Sequence, residues 1–300
     1  MNTITADINE IKSVSARNKA AAYFELTKPR IAFLLVLTSA AGFYLGSGTT
    51  FNYYVFANAM IGITLLAFGV ATLNQFVERA IDPLMERTAK RPLPSHKVTP
   101  AEALIFGLLQ CVAAEIYLFF LVNGLTAILG LIVIVGYVLV YTPLKTRTSA
   151  ATAIGAIPGA LPPLLGFTAA ANEITLFGWS LFVMQFLWQF PHFLSIAWMY
   201  RDQYRKAGIK MLPAVELDGR ITFRQIVMFS IMLLPASLAP FFFAQTGFVY
   251  LIGASILGLW FLWASVRTAI AKSNESARSL LMVSVIYLPL LFLLMVVDKH

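Results

Sequence analysis

The sequence predicts an all-α fold: a polytopic membrane helix bundle of about nine transmembrane helices. Of its 300 residues, 59% are hydrophobic and only 12% are charged, whereas about a quarter of the residues in a soluble globular domain are charged. The apolar residues form runs of roughly 17 to 25 residues, the length that crosses a bilayer as an α-helix. The basic residues gather in alternate connections between these runs, as in the cytoplasmic loops of membrane proteins.

Nine apolar runs follow a polar N-terminal segment, 1–22. That segment lacks the apolar core of a secretory signal, and Asp7 and Glu10 argue against an acid-poor organelle transit peptide. The remainder, 23–300, has no polar stretch long enough for a soluble domain, and we expect one transmembrane domain. The predicted helices are 31–48, 53–77, 101–121, 124–142, 150–170, 177–199, 223–243, 247–266 and 279–297.

The connections between the runs differ in length and charge. A charged stretch, 78–100, separates the second run from the third, whereas the uncharged pair Asn123-Gly124 alone separates the third from the fourth. The fifth run contains the glycines and prolines of 153–166, which predict a bend and close packing against neighbouring helices. A second charged stretch, 200–220, follows the sixth run. The two charged stretches are four helices apart and therefore belong to the same face of the membrane.

Charge sets the predicted orientation. With the N-terminus in the cytoplasm, every lysine and arginine except Lys299 falls on the cytoplasmic side, and the C-terminus lies outside. The net charge of +8 needs no nucleic acid to explain it, because the anionic inner leaflet and an anionic substrate both attract cations. We therefore expect a multi-pass protein whose functional loops face the cytoplasm.

Three oxygen-bearing side chains, Asn74, Glu78 and Asp82, are spaced four residues apart at the end of the second run. On a helix this spacing aligns them along one stripe. Stacked carboxylates favour a bound cation, and Mg²⁺ commonly joins one or two carboxylates to substrate phosphates. The pattern predicts a site for a metal-bound polyphosphate, the alternative being solvated loop charges that follow the positive-inside rule. The bases that follow the stripe are Arg87, Lys90, Arg91 and Lys97.

Longer motifs extend this pattern. The stretch NQFVERAIDPLMERTAKRPLP, residues 74–94, resembles the signature of the UbiA-type membrane prenyltransferases, in which two acid-rich motifs bind Mg²⁺ and an isoprenyl diphosphate. Three further stretches resemble motifs of the superfamily members that prenylate haem, and all four run in the right order across much of the chain. They are YTPLKTRTSAATAIGAIPGALPPLLGF (141–167), LWQFPHFLSIAW (187–198) and YRKAGIKMLP (204–213).

The resemblance implies a reaction. The farnesyl group of farnesyl diphosphate is transferred to a vinyl group of haem B, with addition of water to give haem O and with Mg²⁺ as cofactor. Breaking the allylic C–O bond develops a carbocation and a negatively charged diphosphate, so a metal ion and basic side chains lower its barrier. The resemblance further implies a bacterial inner membrane and a haem A synthase or terminal oxidase assembly as a downstream partner.

The resemblance also implies roles for single residues. Asn74, Glu78 and Asp82 match the first metal motif, and Asp202 supplies the acid of the second. Here the chain departs from the superfamily, because Gln203 stands where an acid usually precedes the tyrosine. For Asp202 to point at the metal, the sixth helix must end early or the chain after it must be irregular. The implied diphosphate-binding residues are Arg87, Arg91, Tyr141, Lys145, Tyr204 and Arg205.

A polar stripe on the sixth helix consists of Gln185, Gln189 and His192. Intramembrane polar side chains face the protein interior or a cavity and not the lipid. Two interpretations of His192 follow from this placement. It is either hydrogen-bonded within the bundle or in contact with haem as an axial ligand.

Two other functional classes fit parts of the pattern. A related prenyltransferase that acts on an aromatic acid or a quinone precursor would use the same acids and bases, and only the haem-type motifs argue against it. A secondary transporter has similar numbers of helices, but its coupling sites lie near the bilayer midplane. Here the charge lies at the ends of the second and sixth helices. That placement favours an enzyme that holds a polar headgroup at the surface and an apolar tail in the membrane.

Overall fold

The computed structural model describes residues 18–300, and every regular element within them is helical. Residues 1–17 of the predicted N-terminal segment, which include Lys12 and Arg17, lie outside the described residues. Helix α1 (18–26) begins within the last part of that segment. The other helices are α2 (Pro29–Gly46), α3 (Tyr53–Glu78), α4 (Pro100–Leu121), α5 (Gly124–Ile134), α6 (Thr142–Leu144), α7 (Ala151–Gly159), α8 (Leu161–Ala171), α9 (Leu176–Met199), α10 (Arg201–Lys206), α11 (Leu212–Val215), α12 (Arg220–Phe242), α13 (Phe248–Ala271) and α14 (Asn274–Val297).

The predicted all-α membrane bundle is confirmed, since each predicted run coincides with one long helix or with two consecutive helical elements. Eight helical segments in residues 18–300 are long and apolar enough to span a membrane, counting α5 to α6 and α7 to α8 as one segment each. Helix α9, the ninth, has 24 residues. It is long enough to cross, but the stripe of Gln185, Gln189 and His192 lowers its hydropathy below that of the others.

The two largest of five packed apolar clusters in residues 18–300 lie among the long helices. One lies among α3, α4, α5 and α8 around Leu66, Leu73 and Leu118. The other lies among α9, α12, α13 and α14, where the buried Tyr250 and Tyr287 are among the largest members. The outward faces carry large exposed apolar side chains on nearly every long helix, which is the surface that a lipid environment requires.

The close approach of α2 and α8 joins the two clusters. A Cβ on Gly42 would overlap the carbonyl group of Pro163, and one on Gly166 would overlap the carbonyl group of Ser39. Small residues at such crossings let helix backbones meet. The predicted bend in the fifth run is also present, because α7 ends at Gly159 and α8 begins at Leu161.

The two ends of the bundle differ. At one end lie the charged stretches after α3 and α9, which are bonded to each other, as their shared face predicted. At the opposite end the chain's last residues clamp three helices: Lys299 donates to carbonyl groups at the end of α2, and the Asp298 carboxylate accepts from the Tyr250 amide of α13 at 2.7 Å. The amide of His300 donates to the Gln245 carbonyl beyond α12 at 3.2 Å. The candidate functional residues therefore lie at the charged end, opposite the end that residues 298–300 hold together.

Candidate active site

The predicted acid stripe is buried, which excludes the interpretation of Glu78 and Asp82 as solvated loop charges. Asn74, Glu78 and Asp82 are 1%, 8% and 0% exposed. The prediction of one continuous helical stripe is wrong in its last member, because α3 ends at Glu78 and Asp82 lies on a separate 3₁₀ turn, Asp82–Leu84. Pro83 cannot donate a backbone hydrogen bond and sits at the start of that turn, where none is needed.

The loop after Asp82 folds back onto it. The hydroxyl of Thr88 donates to the Asp82 carbonyl at 2.7 Å, and this bond closes a compact turn. The turn brings Arg91 onto the Asp82 carboxylate, with both oxygens accepting from one guanidinium nitrogen at 2.7 and 2.8 Å. The same nitrogen is 3.7 Å from Glu78. Arg91 thus bridges the two acids. The other three predicted bases in this loop, Arg87, Lys90 and Lys97, are exposed.

A π-helical stretch, Val135–Tyr141, delivers the next base. Wide turns of this kind occur frequently at functional sites. The Thr142 hydroxyl donates across the wide turn to the Tyr137 carbonyl at 2.7 Å and accepts from the Asn74 amide at 3.2 Å. Lys145 then donates to Glu78 at 2.6 Å and lies 4.4 Å above the ring of Tyr141. Tyr141 and Lys145 therefore meet at the acid cluster.

Lys28 is a member of the cluster that the sequence reasoning missed. Its ammonium donates to the Asn74 side-chain oxygen at 2.7 Å, from a position just before Pro29 opens α2. Burial, together with the nearby Arg91 and Lys145 charges, lowers the pKa of Lys28 to about 7. The sequence carries a signal for it, since Lys28 directly precedes the proline that opens an apolar helix and is thereby fixed at the membrane boundary.

Unlike charges are closely balanced in this cluster. Arg91 and Lys145 pair with the carboxylates of Glu78 and Asp82, and Lys28 is bonded to Asn74 beside them. Burial raises the pKa of Asp82 above its ordinary value, and the charge of Arg91 works against that rise. Each acid is paired and hydrogen-bonded, as buried charges need to be. The bases nevertheless outnumber the acids.

The second charged stretch packs against the first. Arg87 donates to the Tyr204 hydroxyl at 3.1 Å, and the Lys210 amide donates to the Lys145 carbonyl at 2.7 Å. The Arg205 side chain donates to the Ala214 carbonyl at 3.1 Å, which holds the stretch in a compact turn. Two predicted diphosphate residues, Arg87 and Tyr204, are thus brought together beside the cluster.

Asp202 is placed differently from the other predicted metal ligands. The expected break in the chain is present, because α9 ends at Met199 and α10 begins at Arg201. The Asp202 side chain is nevertheless 72% exposed, and its ion partner is Arg205 at 3.8 Å. The structure therefore does not bring Asp202 onto the acids of α3, and its role as a metal ligand stays a prediction.

The cluster fits Mg²⁺ only in company with phosphate. Within residues 18–300 there is no group of three or more His, Cys, Asp or Glu side chains arranged to hold a metal ion. Two carboxylates and one amide oxygen, on Glu78, Asp82 and Asn74, match the sparse protein ligation typical of Mg²⁺ bound together with substrate phosphates. The donor set is suited to a metal diphosphate and poorly suited to a resident metal ion.

His192 lies on the side of α9 that faces α14. Its Nδ1 is 2.8 Å from the Ser284 hydroxyl, and its ring stacks on Trp188 with a 4.5 Å centroid separation. The first interpretation from the sequence, a histidine hydrogen-bonded within the bundle, is therefore correct for Nδ1. Gln189 points elsewhere, donating to the Ala156 carbonyl of α7 at 3.1 Å.

Solved structures of other proteins share this architecture. A structure of digeranylgeranylglyceryl phosphate synthase in membranes superposes with a TM-score of 0.79 at 18% identity, covering 93% of this chain and 98% of that one. A UbiA homologue from Archaeoglobus fulgidus bound to GPP and Mg²⁺ superposes with a TM-score of 0.65 at 16% identity, covering 92% and 99%. The likeness shows the fold and defines the class: a polytopic membrane bundle of the kind found in UbiA homologues.

Sequence comparison then places the chain within that class. The profile of the UbiA prenyltransferase family matches residues 35–293. The chain is 46% identical to a protoheme IX farnesyltransferase of Solibacter usitatus, over 92% of this chain and 98% of that protein. It is 42% identical to a protoheme IX farnesyltransferase of Koribacter versatilis, over 92% and 93%. The chain belongs to the UbiA prenyltransferase family and is a prenyl transferase.

Proposed function

We propose that the protein transfers the farnesyl group of farnesyl diphosphate to a vinyl group of haem B, giving haem O. The observation that carries the proposal is the buried cluster in which Lys28, Arg91 and Lys145 outnumber two paired acids. A site of this kind attracts a polyanion at the end of an apolar bundle. The two named relatives, similar over nearly the whole chain, supply the identity of the substrates.

Charge explains why metal and diphosphate should arrive together. With Lys28, Arg91 and Lys145 protonated, the cluster keeps one surplus positive charge over Glu78 and Asp82. A bare divalent cation is repelled by that surplus. A fully ionised prenyl diphosphate carries three negative charges and its Mg²⁺ complex carries one, which complements the site. Lys145 and Arg91 would turn from the acids towards phosphate oxygens, since charge-assisted bonds to phosphate are strong.

The chain's own residues then have separable tasks. Asn74, Glu78 and Asp82 would hold Mg²⁺, which when bound offsets the charge of the departing diphosphate. Lys28, Arg91 and Lys145 would take the remaining charge as it develops. Tyr141, beneath Lys145, orients that lysine, and Arg87 with Tyr204 would close over the outer phosphate. Asp202 would join them after a movement of α10.

The reaction balances as three changes in bonding. The C1–O bond of farnesyl diphosphate breaks and its electron pair leaves on the diphosphate. The π electrons of the haem vinyl group form the new bond to C1, which leaves a cation beside the porphyrin ring. Water captures that cation and releases a proton, giving a hydroxyethylfarnesyl substituent. The apolar interior would keep water from the farnesyl cation until the new C–C bond has formed.

We place haem B beside α9 and α14, where His192 would ligate or contact the iron. The protein is proposed to lie in a bacterial inner membrane with the cluster facing the cytoplasm, because the basic residues gather at that end. Haem A synthase or a terminal oxidase assembly would take the product.

The proposal is tested by incubating the purified protein with haem B, farnesyl diphosphate and Mg²⁺ and analysing the porphyrin by mass spectrometry. We expect a mass increase equal to farnesol, that is, the farnesyl group plus a hydroxyl, and none in the presence of a chelator. Glu78→Gln should abolish the product, whereas a change at the exposed Lys97 should not. A prenylated aromatic acid formed in place of farnesylated haem, in a parallel reaction, would contradict the proposal.

A further inference from the structure

The hydrogen bonds around His192 form a short directed chain. The Ser284 hydroxyl donates to the Leu281 carbonyl one turn earlier on α14, at 2.6 Å. The same oxygen is 2.8 Å from His192 Nδ1. A serine hydroxyl has one hydrogen to donate and two lone pairs to accept with. When that hydrogen points to Leu281, Ser284 offers only lone pairs to His192, and Nδ1 is then the protonated nitrogen.

The position of this proton decides what the rest of the ring offers. In a neutral imidazole with a proton on Nδ1, Nε2 keeps its lone pair. No other hydrogen bond of the ring is present among residues 18–300. Ring rotation is limited as well, because Trp188 stacks on the imidazole with planes 24° apart. The indole nitrogen of Trp188 is itself tied to the Ser284 backbone carbonyl at 2.9 Å.

We infer that Ser284 is a positioning residue, which fixes His192 in the Nδ1-protonated form and presents Nε2 as the ligand for haem iron. This inference rests on the proposed function, since it takes haem B as the substrate bound beside α9. Partners of this kind on metal-binding histidines set the tautomer and increase the basicity of the ligating nitrogen. The identity of the residue on α14 therefore controls the electronic state of a ligand on α9.

Titration of the purified protein with haem B, followed by optical and resonance Raman spectroscopy, tests the inference. We expect Ser284→Ala to weaken haem binding by ~10-fold, the lower end of the usual loss for such partners. The iron–histidine stretching frequency of the reduced complex should fall, because Nδ1–H loses its acceptor. Ser284→Thr keeps a hydroxyl and should restore both values. The Michaelis constant for farnesyl diphosphate should be the same in all three proteins.

Ser195→Ala provides a matched control on α9. Ser195 is equally buried and donates only to the Pro191 carbonyl within its own helix, at 2.7 Å. The Ser195→Ala variant should leave the optical and resonance Raman spectra of the haem complex unchanged. An unaltered stretching frequency and affinity in Ser284→Ala, with His192→Ala abolishing the iron–histidine band, would overturn the role of Ser284 alone. A band that persists in His192→Ala would overturn both this inference and the assignment of His192, and a wild-type protein that binds no haem would overturn the proposed function itself.

Discussion

Replacing Arg91 should destabilise the protein far more than replacing Asp82, although the two side chains form one ion pair. Asp82 is completely buried and receives its charged hydrogen bonds from Arg91. Arg91 is 22% exposed at its side chain and has Glu78 as a second acid at 3.7 Å. Replacing either residue removes the same Arg91–Asp82 attraction. Replacing Arg91 leaves a buried carboxylate without a partner, whereas replacing Asp82 leaves a partly exposed guanidinium that still has Glu78.

The magnitudes follow from that difference. Unit charges about 4 Å apart attract by ~4 kcal/mol at an effective dielectric constant of ~20. In Asp82→Asn this loss is largely offset, because no carboxylate has to be desolvated at position 82 and Arg91 retains Glu78 as an ion partner. We therefore expect the free energy of unfolding to fall by ~1 kcal/mol. In Arg91→Met the buried carboxylate has lost its partner, and we expect ~3–5 kcal/mol. The double variant, Asp82→Asn with Arg91→Met, should have a free energy of unfolding close to that of Asp82→Asn alone.

A denaturant titration in detergent micelles measures the free energy of unfolding of the four proteins. The cost of Arg91→Met should also grow as the pH rises above the ordinary titration range of an aspartate. Burial raises the pKa of Asp82, so its contribution to stability is fully present below its unfolded pKa and is lost as the pH rises through the folded value. Equal costs for Arg91→Met and Asp82→Asn, or a cost that shrinks as the pH rises, would refute this reasoning. All three variants should lack prenyl transfer.

Three further results are expected. Because the pKa of Lys28 is lowered to about 7, affinity for farnesyl diphosphate should fall as the pH rises above that value in the wild type but not in Lys28→Arg, which stays charged; binding measured from pH 6 to 9 decides this, and parallel curves would contradict it. Gly155→Ala should lower kcat/KM for farnesyl diphosphate ~10-fold, a change of about 1.4 kcal/mol, because the new methyl group overlaps the Tyr141 ring; Gly48→Ala, with open space around it, should not, and equal rates would count against the role of Tyr141. Asp202→Asn should impair turnover severely, and near-normal turnover would confine the metal site to the acids of α3 and the turn after it.

The long helices and the acid cluster were predictable from the sequence because each depends on local patterns. Apolar runs of spanning length predict the long helices between α2 and α14, and a four-residue spacing brings Asn74 and Glu78 to one face. The position of Asp82 was predicted on the wrong element, since α3 ends at Glu78 and Asp82 begins a separate 3₁₀ turn. Its burial there depends on Arg91 folding back over the turn. Such a contact joins residues nine apart through a loop, and no periodic pattern reports it.

The missed member of the site illustrates a different limit. Lys28 meets Asn74 across 46 residues, and its sequence neighbourhood has the form of an ordinary topology charge. The tautomer of His192 likewise depends on Ser284, 92 residues away. Sequence spacing identifies which side chains share a helix face, but it does not identify which face of another helix they meet.

The π-helical stretch Val135–Tyr141 separates two registers within one transmembrane segment. Before it, α5 packs against α4 and α8. At its end and beyond it, Tyr141 and Lys145 are aligned to Glu78 at the end of α3. If the wide turn tightened into a regular α-helix with no residue removed, everything beyond it would rotate by about 100°. The lipid-facing half of the segment would remain in place while Lys145 swung away from Glu78, so insertion and folding could survive a change that dismantles the charge cluster.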